Sequence, residues 1–256
     1  MIRVGTSGYY YDDWVGPVYP PGLSKRDWLS FYAGEFDSVE MNVSYYRIPT
    51  PSMAQGWVDR TPENFLFTLK AHRSITHERV KPDFEAFRAA MEPLKSAGKL
   101  ACVLAQFPYS FRCSAGNREY LSLLREELIE APVVIEFRNR DWVRDSTFTL
   151  LEELSFGYCC VDEPSLRGLM PPIAQATGPI SYLRLHGRNH EKWWQHEHAW
   201  ERYDYSYSQD ELREWLPKII SLEGMSELTL IYANNHPHGQ GVDTARTLKA
   251  LLAAPE

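Results

Sequence analysis

The sequence predicts a single-domain TIM-like (β/α)8 barrel, and three features point to it. Eight short apolar runs alternate with segments of helical spacing along 256 residues. No flexible linker, low-complexity stretch or short internal repeat divides the chain. Several strands carry polar residues at every second position, which suits side chains aimed into a barrel's upper mouth. A doubly wound open sheet is the runner-up, but its strands, covered on both faces, should be almost continuously apolar.

Strands are expected at 2–8, 38–43, 65–72, 100–108, 133–139, 157–162, 180–188 and 228–235. Helical spacing falls at 24–34, 52–60, 83–97, 117–130, 145–155, 209–222 and 243–253. Pro62, Pro82, Gly98, Gly116 and Pro132 stand where helices should start or stop, and 163–178 is Pro-rich and irregular. Within the strands, Glu40 and Asn42 alternate with Val39, Met41 and Val43. Lys70 and His72 alternate with Leu69 and Ala71, and Glu136 and Arg138 with Ile135 and Phe137. Strand seven, in PISYLRLHGRNHEKWW at 179–194, places Arg184, His186 and Arg188 on one face by its period of two. That cationic face is expected to look across a polar mouth at Glu40, Glu136 and Asp162. Thr6, Ser7, Gln106, Asn234 and Asn235 end other strands at the same rim.

Composition narrows the classes. No apolar run approaches the roughly 18 residues needed to span a bilayer, and MIRVGTSG opens directly on a strand without a secretory pattern. Cys102, Cys113, Cys159 and Cys160 lack paired metal spacing, so a reduced, cytoplasmic thiol set is expected. A formal net charge of −7 opposes a sequence-indifferent nucleic-acid binder.

Several stretches make the chain recognisable. GTSGYYYDDWVGPVYP at 5–20, SVEMNVSYYRIP at 38–49, TPENFLFTLKAHRSITH at 61–77 and LAQFPYSF at 104–111 resemble the YecE-like family, domain of unknown function 72. VIEFRNRDW at 134–142, YLRLHGR at 182–188, ERYDYSYS at 201–208 and ANN at 233–235 continue the likeness over nearly the whole chain. The resemblance implies a TIM-like barrel and names no reaction. Tyr9 stands where that family commonly has Trp, and YANN replaces its more usual Phe-Asn-Asn.

The residues themselves suggest acid–base chemistry on an anionic small molecule. Glu40 and Glu136 are the expected proton-transfer groups, with His186 beside them. Arg138, Arg184, Arg188 and Lys70 would hold a phosphate or carboxylate, since guanidinium forks suit both. Asn42, His72, Asp162, Asn234 and Asn235 complete the expected binding set. Lys70 could alternatively form a Schiff base if desolvated. Glu40, Glu136, Asp162 and His186 could gather a metal, but Lys70, Arg138 and Arg184 on the same rim oppose it. HEH at 196–198 lies in an aromatic loop beside Trp193, Trp194 and Trp200 and reads as a lid loop with incidental histidines; neither a metal nor a redox cofactor is expected. The loop from Asn189 to Tyr207 could close over a ligand. NNHPHGQG at 234–241 could present backbone N–H groups to phosphate, unless Asp243 caps that helix. A nucleic-acid-binding or processing barrel is the second reading, a non-catalytic anion-binding protein the third, and no membrane partner is expected. Arg184→Met should weaken anion binding by ~2 kcal/mol and spare the fold, provided Glu136 is not left unpaired.

Overall fold

The computed structural model describes residues 1–254. Its strands are β1 (Ile2–Thr6), β2 (Ser38–Met41), β3 (Leu66–Lys70), β4 (Leu100–Gln106), β5 (Val133–Glu136), β6 (Phe156–Asp162), β7 (Ile180–Leu185) and β8 (Leu228–Ala233). They form one eight-stranded parallel sheet in the order β1-β8-β7-β6-β5-β4-β3-β2. Neighbours in sequence are neighbours in the sheet, so the strand-order reversal of a doubly wound fold does not occur. β1 and β2 meet through a parallel bridge between Ser7 and Glu40, with Gly8 N–H donating to the Glu40 carbonyl at 2.7 Å. The sheet is a TIM-like barrel.

Every expected strand exists, but most end earlier than the apolar pattern does. After Met41 the chain turns into α2 (Val43–Tyr46), where Ser44 Oγ donates to the carbonyls of Met41 and Lys70, each at 2.7 Å. After β7, Gly187 adopts φ +89°, a left-handed conformation that breaks the two-residue period before Arg188.

The helices are α1 (Trp28–Ala33), α3 (Pro51–Val58), α4 (Phe84–Ser96), α5 (Ala115–Glu127), α6 (Asp145–Glu153), α7 (Gln209–Arg213), α8 (Leu216–Met225) and α9 (Gln240–Ala253). Side-chain oxygens of Thr50, Asp83, Ser114 and Ser208 cap α3, α4, α5 and α7. The single helix expected at 209–222 is two helices. Pro217 lacks the N–H that would bond Arg213 within a continuous helix, and Trp215 turns inward to donate Nε1–H to Asp162 Oδ2 at 2.7 Å. No helix among the described residues is long and apolar enough to cross a membrane.

The β1–β2 seam depends on Tyr32 of α1. Its buried hydroxyl accepts from Thr6 N–H at 2.9 Å and donates to the Ser38 carbonyl at 3.1 Å, joining two backbones that do not reach each other there. Gly5 allows this approach, since a Cβ at that position would lie 2.3 Å from the Ser38 carbonyl oxygen. Tyr32→Phe keeps the ring but strands both backbone groups, so urea unfolding should show a loss of about 1–3 kcal/mol.

Candidate active site

Strand parity decides which side chains enter the barrel. Register sets Arg184 beside Val161 of β6 and Tyr232 of β8. Tyr182, Arg184 and the following His186 share that inward face, and Glu40 and Glu136 turn inward from β2 and β5. Arg184 lies between the two carboxylates. Its Nη1 donates to Glu136 Oε2 at 2.8 Å and its Nη2 to Glu40 Oε1 at 2.7 Å. Arg138 Nε stands 2.7 Å from Glu136 Oε1, and its Nη1 is 3.3 Å from Glu163 Oε2. Opposite charges therefore alternate across the barrel top in the row Glu163, Arg138, Glu136, Arg184, Glu40.

Neutral groups fill the remaining valences. Tyr182 Oη donates to Glu40 Oε2 at 2.7 Å. Ser7 Oγ donates to Glu40 and accepts from Arg184 Nη2 at 2.8 Å and Asn42 Nδ2 at 2.9 Å. Asn234 Oδ1 accepts from Arg184 at 3.3 Å, which turns its amide nitrogen to His186 Nδ1 at 2.9 Å. Nδ1 is thus the acceptor, and Nε2 carries the proton donated to Glu136 Oε1 at 3.0 Å. Burial, then Arg138, hold this imidazole well below its usual pKa, so the His186–Glu136 contact is a hydrogen bond from a neutral imidazole to a carboxylate rather than an ion pair. Burial opposes ionisation of Glu136, but Arg138 and Arg184 outweigh it and keep the carboxyl well below its ordinary range. Burial lifts Glu163 to about 7 against the pull of Arg138.

Four expected site residues point elsewhere. Asp162 pairs in register with Leu185, an outward position, and accepts from Arg188, Tyr207 and Trp215 behind the sheet. Arg188, redirected by Gly187, also reaches Glu214 at 2.8 Å and so is committed to carboxylates outside the mouth. Asn235 faces α9, where its amide donates to Thr244 Oγ1 at 2.9 Å. His72 bonds Ser74 Oγ at 2.9 Å, at the start of one π-helical turn, Ser74–Glu78, and takes no part in the cavity wall. With Asp162 outside, the four expected metal donors are not brought together, and no three His, Cys, Asp or Glu side chains among the described residues cluster as ligands. Asp243 does not cap α9; it pairs with Arg246 at 3.4 Å, while Asp13 accepts from His238 N–H just ahead of that helix.

Above the row opens a cavity of about 880 Å³. Glu40, Glu136 and His186 are fully buried beneath it, each with its side-chain oxygens or nitrogens taken by neighbours. Asn42, Lys70, Arg184 and Asn234 reach its surface, together with Arg60 and His236, and among the described residues no Asp or Glu lines it. Loop 189–207 forms part of the wall through His198, Trp200 and Tyr203, held down by Asn189, whose amide donates to the carbonyls of Glu201 and Asp204.

Lys70 is the exceptional group. Lys99, also packed into the fold, donates to three oxygens at 2.8–3.1 Å. Lys70 Nζ rests 4.7 Å from the Tyr45 ring centroid, with no carboxylate within ion-pair distance among the described residues. Burial, then Arg184, lower its pKa to about 7, against the attraction of Glu136 and Glu40. Arg138 adds to the repulsion, and His77 faces the same side, held at about 4 by burial and by Lys70.

With this geometry in place, comparison with known proteins is direct. The family model described as protein of unknown function DUF72 matches residues 3–256. The chain belongs to the DUF72 family. It is 31% identical over 270 residues to the UPF0759 protein YunF of Bacillus subtilis (strain 168), covering 98% of this chain and 95% of YunF. A crystal structure of a DUF72 protein from Thermotoga maritima superposes with a TM-score of 0.91 at 37% identity, over 99% of this chain and 100% of that one. One from Enterococcus faecalis gives 0.88 at 26% identity, over 100% and 97%. This DUF72 chain thus has the barrel of its solved relatives.

Several cavity and network residues escaped the sequence reading. Tyr182 carried a usable signal, because it lies two residues before Arg184 on the same face. Glu163 sits in the irregular segment after β6, where no period applies. His236 had none: its ring is placed by Tyr11, from the first loop, which stacks on it at 4.6 Å with planes 2° apart.

Two predictions follow from these contacts. Arg184→Met would leave Glu40 and Glu136 buried without their shared cation, so it should cost about 3–5 kcal/mol in urea unfolding, not spare the fold. Adding Glu136→Gln should recover part of that loss. For Lys70, the unfolded chain holds its proton to about 10.5 while the folded chain releases it near 7, so stability rises with pH across that window. Lys70→Met should therefore raise Tm, by more at about pH 6 than at about pH 9.

Proposed function

We propose that this DUF72 protein is an enzyme that binds an anionic small molecule, phosphorylated or carboxylated, in the mouth cavity and moves a proton with Lys70. The observation that carries this reading is a cavity with Lys70, Arg60 and Arg184 on its wall and no carboxylate of the described residues lining it. Arg138 and Arg184 have their counter-charges in the row beneath, whereas Lys70 has none among the described residues. An anion seated above Lys70 supplies what the fold withholds, and its charge is felt strongly where water is scarce. Near pH 7 the amine exists in both protonation states, which suits a group that must accept and return a proton. Glu40, Glu136 and His186 then act by holding Arg184 rather than by transferring protons themselves. The net charge of −7 favours a small ligand over a polyanionic strand. Four unpaired cysteines fit a reducing, cytoplasmic setting.

Sulfate, whose charge is constant near neutrality, tests the binding half. Because seating it requires the protonated lysine, its affinity should fall above pH 7 by up to about tenfold per pH unit. Lys70→Met should weaken binding and flatten that dependence; a flat profile in the parent protein overturns the assignment. Turnover of a panel of phosphate esters and sugar acids, lost in Lys70→Met, would establish catalysis. Binding without turnover on any member would leave an anion-binding protein.

A further inference from the structure

The same cavity carries a second message in its rim. Tyr10 and Tyr11 come from the loop after β1, Tyr46 from α2, and Trp200 and Tyr203 from the loop after β7. These segments are remote in sequence, yet all contribute aromatic residues to the lining of one opening. Tyr46 is 72% exposed, Tyr10 54% and Trp200 43%. The fold does bury such rings elsewhere: Phe107, Phe111, Phe137 and Trp142 stack into a sealed column on the outside of the sheet. Scattered exposed aromatics need no explanation, but several converging on one concave opening mark a binding surface.

Deeper in, Tyr11 and His236 form a flat, stacked pair in the cavity wall. Burial lowers His236 to about 4, so its ring is neutral at pH 7 and presents a face rather than a charge. The cavity is therefore graded from a cationic floor at Lys70 and Arg184 to a collar of aromatic faces. A bare phosphate would use only the floor.

Resting on the anion reading above, we infer that the ligand is a planar aromatic or heteroaromatic ring joined to its anionic group, with the anion at Lys70 and the ring stacked in the aromatic collar. Aromatic faces gain from an offset or edge-on partner ring beyond what burial alone provides. The volume, about 880 Å³, leaves room for substituents beyond a single ring and its phosphate.

Calorimetric titration of the intact protein with inorganic phosphate, cyclohexyl phosphate and phenyl phosphate tests this directly. Phenyl phosphate should bind at least about tenfold more tightly than inorganic phosphate and clearly more tightly than cyclohexyl phosphate. Trp200 and Tyr46 are exposed, so Trp200→Ala and Tyr46→Ala should fold, as circular dichroism would verify. Each should cut the phenyl-to-inorganic ratio to below about threefold. Equal affinity for phenyl and cyclohexyl phosphate, or a ratio that both variants leave intact, overturns the aromatic ligand while sparing the anion site. Failure of all three phosphates to bind removes the anion reading itself.

Discussion

Arg184 holds the top of the barrel together. Its guanidinium spans Glu40 on β2 and Glu136 on β5, strands that share no ladder, and adds Ser7 of the β1–β2 junction through the nitrogen that bonds Glu40. Such an ion group is expensive to desolvate, and an apolar core of equal volume could be as stable. What charge supplies is direction. Each carboxylate oxygen has a designated donor, so the side chains at the strand ends take one arrangement. Arg138, Glu163, His186, Asn234 and Tyr182 all find their places relative to it.

That arrangement sets the chemistry of the space above. The row pairs its guanidinium groups with carboxylates and leaves nothing for Lys70, which projects from β3 beside two arginines. A lysine in water would keep its proton well past neutrality; this one does not, because burial and like charge act together. The fold thus spends stability on an unmatched cation at the floor of a cavity. Structural lysines in the same protein, such as Lys99, show how readily carbonyl oxygens could have matched it. Unmatched groups of this kind concentrate where ligands bind.

The barrel also shows how local irregularities position a site. Gly187 turns the chain so that Arg188 leaves the mouth and joins Asp162, Tyr207 and Trp215, fastening the wall loop and the α7–α8 corner to the back of the sheet. Tyr32 closes the seam on which Ser7 and Glu40 depend. The long loop after β7 brings Trp200 and Tyr203 over the opening that the strands alone leave wide. Rigid strands set the charges, and loops set the aromatic surface around them.

The architecture was legible because it follows from periodicities. Eight apolar runs separated by helical spacing specify a barrel, and a period of two brings Glu40, Glu136, Arg138, Lys70, Arg184 and His186 to one face. His72, Asp162, Arg188 and Asn235 depart from that rule, His72 because β3 ends at Lys70 and a π-helical turn follows. Asp162 and Asn235 have the parity of outward residues on their own strands, legible once register is known, whereas Gly187 resets the parity of Arg188. Whether a charge on the inner face meets a partner or open space is a matter of distance between strands far apart in sequence. The residue pattern alone therefore determined the fold and, while it misplaced His72, Asp162, Arg188 and Asn235, set Glu40, Lys70, Glu136, Arg138, Arg184 and His186 on one face. Only the closed tertiary structure decided which of them neutralise one another and which, Lys70 above all, is left facing the cavity, because ion pairing and burial depend on three-dimensional separations that no spacing along the chain encodes.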